Sequence, residues 1–176
     1  MDKNLASLLE KNQLLLMGEV DKRMFEYVYE ATQLLIAKGS PEIEISITSN
    51  GGSVDFGLDI YDLLRLYTGS KVITIISIAA SMGAIIVQAC NKRKVAQHAK
   101  VLIHYVSRRN INLSQLKDPE ELGKIIKDLE GSQNRLEAIL VEKTKKPVDI
   151  IQAECKKDHP MTAEEALAFG LVDEII

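Results

Sequence analysis

Ser81 stands near the centre of an apolar run, "SIAASMGAIIVQAC" (residues 77–90), and no charged residue occurs between Lys71 and Lys92. A hydroxyl in such a place belongs to a membrane segment, to a core with an incidental polar group, or to a nucleophile set in a hydrophobic floor. The wider uncharged stretch 72–90 divides into two halves of different character. Val72 to Ile78 is rich in β-branched residues, as a buried strand should be, whereas Ala79 to Cys90 is rich in small residues and helix formers. Thr74, Ser77, Ser81 and Gln88 interrupt it, which argues against one spanning helix. Ser81 is therefore expected where a strand turns into a helix. The first N–H groups of a helix have no intrahelical partner, and its positive dipole end favours a developing oxyanion. The ordinary reading of a serine there is a helix cap.

"SNGGSV" (residues 49–54) offers a second candidate. Two glycines between a strand and a helix allow close backbone approach and a further N–H donor for an oxyanion, complementing Met82; the plain alternative is a strand-to-helix turn. The segment lacks the Lys-Ser/Thr of a phosphate loop and the spacing of a dinucleotide fingerprint, which excludes nucleotide binding. Of His98, His104 and His159, only His104 ends an apolar strand ("KVLIH"), where a scaffold would hold an imidazole at a sheet edge. No histidine–acid pair has zinc-site spacing, so no metal is expected. Several aspartates would serve to orient a histidine, and spacing alone does not choose among them. Asp158 is attractive because it lies just before a capped helix.

These residues need elements to position them. Gln13–Met17 reads as a strand ended by Gly18. Asp21 to Lys38 reads as a helix with Asp21 as N-cap and Met24, Val28, Ala31 and Leu35 along one side. Glu42–Thr48 alternates as a strand, and Ser53–Tyr67 forms the next helix. Short strands are expected around 94–97 and 101–103, ahead of His104. Asp118-Pro119 with Glu121 starts a helix to about Lys143, whose apolar stripe has a gap at Ser132 and Gln133. Pro147–Cys155 forms a shorter helix. Thr162 and Glu165 form a capping box, Gly170 ends that helix, and a last strand follows over 171–176. Repeated strand–helix units with short turns imply an α/β domain with a largely parallel sheet, from which the long helix would project.

Composition agrees. The 176 residues suffice for one domain with a hydrophobic core, and no linker or low-complexity stretch divides them. A net charge of -3 gives no electrostatic reason to expect nucleic acid. Cys90 and Cys155 lie in apolar or helical surroundings and read as reduced core thiols. Met1 to Lys11 is mixed and polar, with no leader pattern, so a cytoplasmic location and no membrane association are expected.

The order glycine turn, serine, histidine, aspartate resembles the proteolytic subunits of the ATP-dependent Clp protease family, which are self-compartmentalising serine peptidases. The likeness runs from about Ser7 to the C-terminus. "SNGGSVDFGLDIYDLL" is similar to that family's oxyanion segment, "AASMGA" to its nucleophile motif, "VLIH" to its general-base motif and "KKDHPMTAEEALAFGLVDEII" to its end. The resemblance implies a crotonase-like fold of repeated ββα units with a projecting handle helix, a single domain over 1–176 with its handle at about 105–145. It implies Ser81 as nucleophile, His104 as general base, Asp158 as third triad member, and the N–H groups of Gly52 and Met82 as oxyanion hole. It implies peptide or unfolded-protein substrates, no cofactor in the peptidase step, a homo-oligomer of two stacked heptameric rings, and an AAA+ unfoldase as ATP-driven partner.

The chain also departs from that pattern. Asn50 replaces the usual proline of the oxyanion segment and Ser77 a usual glycine. "YVSRRN" (Tyr105–Asn110) replaces the usual Gln-Pro-glycine stretch, and an insertion is expected within 107–119. The chain starts near the first helix, so the axial N-terminal segment is expected to be missing and unfoldase docking to be weak. A catalytically silent ring subunit would have lost a triad residue, and none is lost. A crotonase-fold acyl-CoA enzyme would need an adenine-binding loop, and a Ser–Lys peptidase would need a lysine in place of His104.

Overall fold

The computed structural model describes residues 3–108 and 110–176, with side chains from residue 7 onward; Arg109 of the "YVSRRN" segment lies outside the described residues. Two compact units are present, residues 1–103 together with 159–176, and residues 104–158.

The first unit is built on a parallel sheet. After helix α1 (Lys3–Glu10) come β1 (Gln13–Val20), α2 (Lys22–Ala37), β2 (Ile43–Gly52), α3 (Val54–Leu66), β3 (Lys71–Ala80), α4 (Met82–Val87), β4 (Lys92–Val95) and β5 (Lys100–Leu102). Helix α8 (Ala163–Phe169) and β6 (Glu174–Ile175) complete it. The strand order is β1-β2-β3-β4-β6, with β5 also pairing β3. Sequential strand–helix–strand crossovers make these pairings parallel, as the repeated pattern requires.

Alternation decides which strand faces are covered. Ile43, Ile45 and Ile47 of β2 are buried, as are Leu14 and Leu16 of β1 and Ile73 and Ile75 of β3. Burying each such side chain contributes about 1.5–3 kcal/mol. Helix α2 starts where the Asp21 carboxylate accepts the Met24 N–H at 3.0 Å, and it buries Met24, Val28, Ala31 and Leu35. Ser53 caps α3, whose Ile60 and Leu64 are fully buried.

Strand β3 changes partner along its length. Val72 to Ile75 pair with Lys92 to Val95 of β4, and Ile78 to Ala80 pair with Lys100 to Leu102 of β5. A central strand between neighbours explains the lack of charge in its run, yet Ile76 is half exposed. Among the described residues no helix is long and apolar enough to cross a membrane.

Several boundaries differ from expectation for local reasons. Gly18 (φ 97°) does not end β1; the ladder shifts register between Met17 and Glu19 and the strand continues to Val20. The "SNGG" segment is the end of β2, with Glu19 opposite Gly51 and Val20 opposite Gly52. The last strand contracts to two residues because the chain is pinned by side chains. Arg93 donates to the Asp173 carboxylate, to the Gln88 side-chain Oε1 at 2.6 Å and to the Gly170 backbone carbonyl at 3.0 Å.

The second unit consists of α5 (Leu113–Lys117), α6 (Pro119–Thr144) and α7 (Val148–Lys157). Asp118 accepts the N–H groups of Glu120 and Glu121 and starts α6 with Pro119 at its first position, as the sequence signals. Ile125, Leu136 and Leu140 are buried, while Ile126 is about half exposed. The short helix α5 falls inside the expected insertion. Its capping box, Asn112 with Gln115, was readable in principle, but five residues give too little periodicity to announce a helix.

Candidate active site

Ser81 occupies the turn between β3 and α4 with φ 55° and ψ −124°. That conformation is unfavourable for a residue with a Cβ and persists only where surroundings impose it. Three constraints are visible. The Ser81 N–H donates to the Leu102 carbonyl at 2.8 Å, its carbonyl accepts from Ala84 at 3.0 Å, and α4 behind it is buried along its length. The hydroxyl makes no capping bond. The ordinary reading of Ser81 as a helix cap therefore fails: it sits at the cap position with its oxygen free of the backbone. A strained strand-to-helix turn that presents a serine hydroxyl is the geometry of a nucleophile elbow.

The end of β2 closes on this turn. A Cβ placed on Gly51 would lie 2.5 Å from the Ser81 Cβ, 2.8 Å from the Ala80 carbonyl oxygen and 3.0 Å from the Met82 nitrogen. Gly51 also has φ 90° and donates its N–H to the Ser49 hydroxyl at 3.1 Å. Glycine is thus demanded twice, by conformation and by space. Of the "GG" pair, the sequence singled out Gly52, but Gly51 is the residue that touches the serine turn. A Cβ on Gly52 would meet the Val20 carbonyl oxygen at 2.3 Å, so Gly52 packs on the end of β1. Met82 is fully buried and opens α4, where its N–H has no acceptor within the helix.

His104 and Asp158 are the first and last residues of the second unit. The His104 Nδ1 donates to the Tyr105 carbonyl at 2.7 Å. A carbonyl only accepts, so this bond places the ring proton on Nδ1 and leaves the Nε2 lone pair as the basic site. Asp158 ends α7 in the left-handed region, φ 47°, with its side chain exposed and no hydrogen bond to His104. The chain leading to each residue is fixed. Val101 and Met161 form an antiparallel bridge with N–H···O bonds of 3.1 and 2.7 Å. Counted along the chain from that pair, His104 and Asp158 each stand three residues away.

Sequence reading missed Gln133. Its side-chain oxygen accepts the Val106 N–H at 2.8 Å, which ties the segment after His104 to α6. The gap in the apolar stripe of α6 was its only signal. Among the described residues no group of histidine, cysteine and acid side chains has the arrangement of a metal site.

Comparison with known proteins bears on this geometry. The profile of the Clp protease family matches residues 1–176. An "ATP-dependent Clp protease proteolytic subunit" from Leuconostoc citreum (strain KM20) is 31% identical over 174 residues, 97% of this chain and 86% of that protein. The match covers every element that builds the serine turn. The chain belongs to the Clp protease family.

Proposed function

We propose that the chain is a serine endopeptidase in which Ser81 attacks a peptide carbonyl, His104 moves the proton and Asp158 orients the imidazole. The observation that carries this reading is the Ser81 turn, strained at φ 55° with its hydroxyl unused as a cap. In the first half-reaction Ser81 Oγ bonds to the carbonyl carbon while Nε2 of His104 takes the hydroxyl proton. The imidazolium then gives that proton to the leaving amine as the C–N bond breaks. Water repeats the sequence on the acyl-enzyme and restores the serine. The N–H groups of Met82 and Gly52 would hold the oxyanion. The Tyr105 carbonyl already fixes the tautomer this cycle needs, and Asp158 would take over Nδ1 when the imidazole becomes charged.

As in the family, the peptidase would work without a cofactor inside a homo-oligomer of stacked heptameric rings in the cytoplasm, on peptides or on protein delivered by an AAA+ unfoldase. The test is fluorophosphonate labelling of the purified protein with mapping of the modified residue. Ser81 should carry the adduct, and Ser81→Ala should lose both labelling and peptide hydrolysis. His104→Ala should lower turnover on the order of 10⁴-fold, because triad members act as a unit. Turnover unchanged in Ser81→Ala would overturn the assignment.

A further inference from the structure

The second unit contains a cleft of about 470 Å³ lined by Tyr105, Val106, Leu129, Gln133, Glu137 and Gln152, with the exposed acid Glu130 also in its wall. Glu137 is only 4% exposed. Its two carboxylate oxygens accept from Gln133 Nε2 at 2.8 Å and from Gln152 Nε2 at 2.9 Å. Both donors are neutral, and no cationic side chain among the described residues pairs with it. Two amide bonds use half of a carboxylate's four acceptor sites and supply no countercharge. A buried charge left in that state is costly, and a cation entering the cleft would relieve the cost. The charge is felt nearby: burial first, then the Glu137 carboxylate, pushes the Cys155 thiol up to about 11.

The cleft wall includes Tyr105 and Val106, the two residues that follow His104. Tyr105, in its wall, accepts from the His104 ring, and Val106 is bonded to Gln133 beside Glu137. We propose that this cleft is the pocket for a basic side chain of the peptide substrate, with Glu137 as the acid that selects lysine or arginine. The inference rests on the peptidase reading above. Leu129 offers apolar surface for the methylene stem, and the ammonium or guanidinium donates to the free acceptor sites of Glu137. Glu130 adds a second negative charge that favours the same ligand.

The test uses the intact protein and fluorogenic peptides that differ at one position, carrying Lys, Arg, norleucine or Glu, with that position moved to either side of the scissile bond. At one position Lys and Arg should exceed norleucine about 10- to 100-fold in kcat/KM, the range a buried polar contact gives, and Glu should be poorest. Glu137→Gln removes the charge while keeping the shape, and the Lys-to-norleucine ratio should fall toward one. Norleucine equal to Lys at every position in the unmodified protein overturns the proposal, as does an unchanged ratio in Glu137→Gln. If Glu137→Gln fails to fold, the unmodified protein still decides through its own panel. Fluorophosphonate labelling reports the serine separately. A protein that is not labelled refutes the peptidase reading, and fluorescence polarisation with the same Lys and norleucine peptides then reads the pocket, equal binding refuting it.

Discussion

Gly51 and Ser81 show how a hydroxyl is positioned by its neighbour's lack of a side chain. The serine turn holds a positive φ because the end of β2 fits against it with no atom to spare. Adding a methyl at Gly51 places it 2.5 Å from the Ser81 Cβ and imposes a left-handed conformation on alanine. Neither backbone carbonyl nor turn has room to yield, so Gly51→Ala should cost about 1–3 kcal/mol in strain. With Ser81 as the proposed nucleophile, peptide hydrolysis should fall by more than tenfold, because displacing its oxygen by a fraction of an ångström is enough. Thermal unfolding and a peptide assay on the same preparation check this; a fully active, equally stable Gly51→Ala protein would show that the turn is not shaped by β2.

Element boundaries carry the next lesson, and Arg93 is the clearest case. It draws the C-terminal segment, the end of α8 and the side chain of Gln88, the residue that follows the buried α4, onto one guanidinium. Burial alone would raise the Asp173 carboxyl, but the Arg93 hydrogen bonds and charge win and hold it below its ordinary value. A depressed carboxylate contributes stability that is present above its unfolded pKa of about 3.9 and lost as pH falls through the lower folded value. Asp173→Asn should therefore destabilise the protein by about 1–2 kcal/mol at neutral pH, discounted from a fully buried pair because Asp173 is a third exposed. The deficit should shrink below pH ~4 and vanish below the folded pKa, as urea unfolding at several pH values would show. A deficit independent of pH would mean that packing, not charge, is what the pair supplies.

Helix α6 belongs to the same scale. Ile125 is buried within the chain while its neighbour Ile126 is about half exposed, so a charge at each reports something different. Ile125→Glu should destabilise the fold. Ile126→Glu should leave the monomer folded and weaken a homo-oligomer that uses this face, which mass measurement by light scattering would register as smaller assemblies. No change in mass would place the oligomer contacts elsewhere.

For the whole molecule, the proposed chamber sets what is cleaved. A hydrolytic site that needs no cofactor should act on short peptides without nucleotide, whereas a folded protein should resist until an unfoldase threads it. A short fluorogenic peptide and a tagged folded protein, each assayed with and without an unfoldase and ATP, separate these cases. Peptide cleavage should be ATP-independent. Degradation of the folded substrate in the absence of nucleotide would rule out an enclosed site.

The sequence by itself determined most of the framework. The β-branched run of β3, the alternation of β2 and the Asp21, Asp118 and Thr162 caps are local signals, and each element formed where they pointed. Order and spacing also nominated Ser81, Met82 and His104, because strand ends are legible from periodicity. Tertiary structure decided what periodicity cannot encode. Which glycine meets the serine turn depends on how β2 and β3 lie side by side, so Gly51 emerged only from the pairing. Gln133 and Glu137 read as polar positions on a helix, and their roles come from Val106 and Gln152, which are distant in sequence. The serine hydroxyl is free for a similar reason. Whether a hydroxyl caps a helix depends on the local φ and ψ, and at Ser81 a long-range bond to the Leu102 carbonyl helps to fix them.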